Sequence, residues 1–177
     1  MFRKFLIGLF LLFSVLFLAY ILLPNPDFPA SIPGALQSKE PADTETSLRR
    51  AYFTDYSREE VINWYKDQFS HSSFYNLRLP ILRFNYPPED SQTVIRDQTK
   101  STYLEEIVHP FREGIYINGF EPKEAKDAIN IEGSHFRQKI IIRYVPSSPL
   151  ARVIVGVLTL VSMVVLVREY SKYAGKN

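Results

Sequence analysis

The sequence contains no cysteine. Thiol nucleophiles, disulfide staples, iron–sulfur clusters and thiolate zinc sites are therefore excluded. Glycine is sparse, 7 in 177 residues, and scattered. No phosphate-binding glycine loop, dinucleotide fingerprint or Gly-x-Ser-x-Gly elbow occurs. The three histidines, His71, His109 and His135, stand in no HxH or HExxH spacing, so neither a metal site nor a cofactor is expected. Basic clusters are missing too. Residues 24–148 hold 15 Lys and Arg against 18 Asp and Glu. A mildly acidic stretch lacks the positive patch that phosphate neutralisation needs, which removes nucleic acid from the expected partners.

What the chain does have is a long apolar run near each end. Phe5 to Leu23 carries no charge across 19 residues, about 28 Å of helix and close to the ~30 Å hydrocarbon core of a bilayer. Arg3 and Lys4 precede it, as in a secretory signal, but the run ends Tyr20-Ile21-Leu22-Leu23-Pro24 with no small-x-small cleavage site. An uncleaved anchor is expected. The second run is Leu150 to Val167, interrupted near its start by Arg152, whose guanidinium is expected to snorkel to the interface. Arg3 and Lys4 before the first span, and Arg168, Lys172 and Lys176 after the second, place both termini in the cytoplasm by the positive-inside rule. The expected location is the cell membrane, with the intervening domain on its extracytoplasmic side. Neither span carries an ionisable residue in its interior, which speaks against a channel or proton relay. Phe10, Phe13, Phe17 and Tyr20 share a helix face suited to lipid or a partner helix. Gly156, Thr159 and Ser162 form a small-residue arc that suits close helix approach.

The expected layout is an anchor over residues 1–23, a Pro-rich linker over 24–48, a folded domain over 49–148, a second span over 149–168 and a cytoplasmic tail over 169–177. Pro24, Pro26, Pro29, Pro33 and Pro41 suggest an extended, loose N-terminal tether. Only Pro146 to Pro149 separate the last strand from the second span, a tight tether that holds that strand near the bilayer. Inside the domain, Arg49–Thr54 suggests a strand. Ser57 with Glu60 predicts a capping box for a helix over 57–69, with Val61, Trp64, Tyr65 and Phe69 on one apolar face. Leu77–Tyr86 suggests a strand in which Pro80 implies an edge or a bulge. A helix is expected over Glu89–Gln98, and strands over Tyr103–Val108 and Ile115–Phe120. A short helix should start at Pro122. Ile129 and Ile131 should then pair with His135–Val145 across a turn at Glu132-Gly133-Ser134. The fold class is α+β: a small mixed or antiparallel sheet with two to three helices, flanked by one transmembrane helix at each end.

Candidate chemistry is thin. Glu106-Ile107-Val108-His109 has the Glu-x-x-His spacing of di-iron helices, but one copy does not make such a site, and on a strand the two side chains point to opposite faces. Glu105 beside Glu106 offers two carboxylates, yet adjacency does not place them across a cleft. Ser134 and His135 are adjacent and diverge on a strand. A site assembled from distant parts of the chain would draw first on Glu105, Glu106, His109 and His135. The expected function is a two-span, membrane-anchored interaction or assembly protein, its partners the lipid bilayer and a membrane or envelope protein. The alternative is a membrane-surface enzyme, a lipid or cell-wall hydrolase with a non-contiguous carboxylate and histidine site.

Overall fold

The computed structural model describes residues 2–72, 74–86 and 102–174. The chain forms two compact units, Met1–Pro24 with Ser147–Asn177, and Asn25–Pro146. The helix expected over Glu89–Gln98 lies outside the described residues.

The first unit is a helix pair, α1 (Phe2–Leu22) and α3 (Pro149–Ala174); α2 (Arg58–Phe69) lies in the second unit. Both are long and apolar enough to cross a membrane. Leu9, Leu12 and Leu16 on α1 and Val164 and Leu166 on α3 are all exposed, a hydrophobic surface suited to an apolar solvent. The helices meet at Gly156, where a Cβ would collide with Ile21 and crowd Phe17, so glycine permits the close approach. Of the small-residue arc, Gly156 is buried and Ser162 is exposed. Of the aromatic stripe, Phe17 sits at this seam while Phe13, stacked on it at 6.0 Å, faces outward. Arg152 is buried, and α3 continues to Ala174, with Lys172 bonded to Glu169 at 2.6 Å.

The second unit is built on a six-stranded antiparallel sheet, so the mixed alternative falls away. Its strands are β1 (Leu36–Gln37), β2 (Arg49–Thr54), β3 (Leu82–Tyr86), β4 (Thr102–Val108), β5 (Gly114–Phe120) and β8 (Gln138–Val145). Their order is β1-β2-β8-β5-β4-β3; β6 (Ile129–Ile131) and β7 (Ser134–Phe136) form a separate hairpin. Helix α2 (Arg58–Phe69) covers one face. Its start follows from local chemistry: the Ser57 side chain accepts from Glu60 N, and Glu60 Oε2 accepts from Ser57 N at 2.7 Å, a reciprocal capping box. The helix buries Val61, Ile62, Tyr65 and Phe69 against Tyr52, Tyr103, Ile107, Ile115, Ile117, Ile140, Ile142 and Tyr144. The period-2 pattern of the strands supplies the sheet side of this core. In β8, Gln138, Ile140, Ile142 and Tyr144 are buried, while Lys139, Ile141 and Arg143 take the opposite face.

Four expectations in this unit are corrected. The Pro-rich stretch is not a loose tether. Ile32 is buried in the core with Phe28 packed beside it, Gln68 accepts from Ala30 N at 2.9 Å, and β1 pairs with β2. Proline is excluded from helix interiors but does not prevent extended chain from lying on a fold. β3 begins at Leu82 rather than Leu77, because Pro80 removes a ladder donor; of the edge and bulge alternatives, β3 stands at the edge of the sheet order. The segment after Pro122 makes only a 3-10 turn over Ala125–Asp127. Finally, His135–Val145 is not one strand. Ile131 pairs with Ser134 across the two-residue turn Glu132-Gly133, whose φ angles of 51° and 83° define the tight turn that hairpins favour. Beyond Phe136 the chain crosses into the main sheet as β8.

Candidate functional site

The four candidates occupy separate settings. Glu105 lies on the α2 side of β4, its side chain wholly buried. It accepts from Arg83 Nε at 2.7 Å and Nη2 at 2.9 Å, and from Arg58 Nε at 3.0 Å and Nη2. Arg58 is the first residue of α2 and Arg83 comes from β3, two residues from Asn85, which faces Glu105 across the ladder. Arg83 also bonds Glu59 at 3.1 Å, and Arg58 donates to Asn85 Oδ1 at 2.9 Å while lying 4.6 Å from the centre of the Tyr103 ring. The Tyr103 hydroxyl donates to Gln138 Oε1 at 2.7 Å, and Gln138 Nε2 to Tyr56 O at 2.6 Å. Burial pushes the Glu105 carboxyl up, but the bonds and charges of Arg83 and Arg58 outweigh it and hold it below its ordinary value. This carboxylate is a clasp between helix and sheet.

Glu106 points to the other face, as neighbours on a strand must. It accepts from the Tyr86 hydroxyl and faces Tyr116 across β4 and β5. The Tyr86 phenol is pushed up by this bond and by burial, and Tyr116 by burial and by the same carboxylate. The two rings stand 6.5 Å apart.

His109 follows β4 and is again on the α2 side, stacked on Phe69 at 4.4 Å. Four residues of extended chain, roughly 13 Å, separate it from Glu105. Its Nδ1 lies 2.8 Å from Glu113 Oε1, and both side chains are fully buried. A carboxylate only accepts, so Nδ1 carries the proton. Arg112 Nη2 donates to the same oxygen at 2.9 Å. Burial raises the Glu113 carboxyl, and the bonds from His109 and Arg112 bring it below its ordinary value. His109 Nε2 is buried without a hydrogen-bond partner among the described residues. The turn that creates this pair has Arg112 N bonded to His109 O at 2.9 Å, Pro110 next in line and Phe111 at φ 61°. That is a type II arrangement, with proline where it is favoured and a bulky residue where glycine is usual.

His135 is exposed on β7, 3.3 Å from Asn130 Oδ1. It lines a shallow depression with Glu121, Lys123, Glu124 and Arg137.

A fifth cluster escaped the sequence reading. Asp43, in the Pro-rich stretch, is buried and accepts from Ser38 Oγ at 2.6 Å and Lys139 Nζ at 2.7 Å. Burial raises its carboxyl, and these bonds lower it further than burial raises it. Comparison of the chain with protein-family models, with curated proteins and with solved structures finds no match. The function therefore rests on this geometry.

Two groupings emerge that the sequence did not join: Glu105 with Arg58, Arg83 and Glu59, and His109 with Glu113 and Arg112. The second had a local signal. His109-Pro110 followed by three residues and a new strand is a tight turn that brings positions 109 and 113 face to face, and an acid stands at 113. Among the described residues no group of three or more His, Asp or Glu is arranged to hold a metal ion.

Proposed function

We infer that the chain is a two-span membrane protein whose domain, outside the cytoplasm, acts as a non-enzymatic interaction or assembly factor. The observation that carries this reading is the separation of the four candidate residues. Glu105, Glu106, His109 and His135 each face different neighbours, and the buried carboxylates Glu105 and Glu113 are held by arginines that stabilise the fold. What the domain presents instead is surface, including the edge strand β3 with Leu82 and Phe84 exposed, the kind of edge to which another chain can add. In-cell cross-linking followed by purification in mild detergent tests the reading. A stoichiometric membrane or envelope protein joined to the chain is the expected result; recovery of the chain alone overturns it.

One observation favours the enzymatic alternative. The His109 ring is oriented through Nδ1 by a carboxylate, and Nε2 is left without a partner among the described residues, which is the relation of a general base to its orienting group. Phe69 covers the ring, so substrate would reach it only after that contact opens. Lone recovery of the chain directs attention here, to lipid and glycan hydrolysis by the full chain against a His109→Gln variant.

The orientation has its own test, made clean by the absence of native cysteine. A Lys126→Cys variant should react with a membrane-impermeant maleimide on intact cells, and Tyr173→Cys only after permeabilisation. Both positions are exposed. The reverse pattern places the domain in the cytoplasm.

A further inference from the structure

The exposed apolar side chains of the sheet unit are not spread evenly. Among its described residues nine large hydrophobic side chains are exposed, and all but Tyr56 and Phe84 lie at one end of the sheet. The register defines that end. Val145, the last residue of β8, pairs with Gly114, the first of β5; Leu82, the first of β3, pairs with Val108, the last of β4; and Tyr144 N bonds Leu48 O just before β2. The β4–β5 turn, the excursion between α2 and β3, the approach to β2 and the exit from β8 all emerge there. Two of these connections end in aromatic tips. Tyr75 is 89% exposed and Phe111 61%. Tyr75 and Asn76, at φ 53° and 51°, turn a narrow hairpin in which Leu77 N bonds Phe74 O, Ser72 N bonds Leu77 O and His71 bridges Arg78. Phe74 packs edge-on against Tyr75 at 4.6 Å. Tyr75 and Phe111 thus both hold bulky rings at positive φ, a conformation that disfavours them, and both rings face outward. The opposite end of the sheet carries the exposed charges Lys123, Glu124, Lys126 and Asp127.

The chain indicates what meets the apolar end. Between Val145 of β8 and Pro149 of α3 stand three residues, a tether that reaches no more than about 14 Å. Tyrosine and other amphipathic aromatics concentrate at the boundary between headgroups and acyl chains. We propose that this end of the domain, with Tyr75 and Phe111 as its anchors and Leu48, Phe74, Leu77 and Val145 around them, docks into the phospholipid interface of the membrane that holds the two helices. The proposal rests on the anchored reading given above and adds a second attachment, which fixes the tilt of the domain and turns its charged end toward an incoming partner.

The test uses the full chain in vesicles of equal parts phosphatidylcholine and phosphatidylglycerol. Single cysteines at Asn76, Lys126 and Leu12 each carry an environment-sensitive fluorophore. The label at Asn76 should lose emission to a nitroxide placed near the headgroup and be shielded from iodide, while the label at Lys126 shows the reverse. Tyr75→Ser with Phe111→Ser should restore emission at Asn76; both side chains face outward, and the fluorescence of Trp64, the only tryptophan, checks that the domain stays folded. Iodide access at Asn76 equal to that at Lys126 overturns the docking. So does shielding from both quenchers, which means a protein surface covers the site. The label at Leu12 separates the two readings: quenching by a nitroxide deep in the acyl chains with none at Asn76 sinks the docking alone, whereas no quenching at Leu12 removes the anchor and the docking with it.

Discussion

Alanine at Gly119 should destabilise the domain by about 3 kcal/mol, at the upper end of what overpacking costs. Gly119 lies in β5 opposite Tyr103 of β4, and a Cβ there would overlap the Tyr103 ring itself. The ring crosses the glycine to bring its hydroxyl to Gln138 on β8, a close approach that a strand glycine permits. The ring cannot move aside freely. It is buried, Arg58 lies over it, and Gln138 in turn holds Tyr56. A methyl group therefore disturbs the packing of three strands and the start of α2 together. For a domain of this size the loss corresponds to roughly 10 °C or more in Tm, measured by the fluorescence of Trp64, which packs against the core and lies 3.4 Å from Ala30 O. Tyr103→Ala should be costly by itself, and in its presence Gly119→Ala should add little. A full additive loss in the double variant would show that the two side chains do not compete for one space.

Glu105→Leu should cost about 3 kcal/mol, at the lower end of the range for breaking a buried ion pair. The carboxylate is fully buried, but Arg58 and Arg83 are each about one third exposed and can turn toward water once abandoned. Glu105→Gln keeps the shape and removes the charge, and it should change the response to acid. The folded carboxyl is held below its ordinary value, so its contribution is fully present above the unfolded value of about 4.3 and is lost as pH falls through the folded one. Glu113 and Asp43 titrate in the same sense. Wild-type stability should therefore drop on acidification below about pH 4, and the drop should be shallower in Glu105→Gln. Equal acid limbs in the two proteins would mean that Glu105 does not act through its charge.

Local features of the fold were legible in the sequence and distant ones were not. The Ser57–Glu60 box concerns adjacent backbone, and the alternation in β4 and β8 reports directly which face is buried. The two apolar helices follow from length and hydropathy. The packing of the Pro-rich stretch is not legible because proline content describes backbone freedom, whereas Ile32 and Asp43 find their partners on α2, the sheet and Lys139 far along the chain. Glu105 was visible as a candidate, but the two arginines that give it a structural role arrive from α2 and β3 only once the sheet has formed. The division of His135–Val145 turned on Glu132-Gly133, read as part of a longer turn.

The place of β8 also has a mechanical meaning. It is the strand that continues toward α3, and it is paired along both edges, to β2 and to β5. A pull applied along the axis of β8 would load both ladders at once, in shear. Such a strand yields only when many hydrogen bonds break together, whereas an edge strand such as β3 can be peeled one bond at a time. The chain thus joins its second apolar helix to the part of the domain that best withstands a pull.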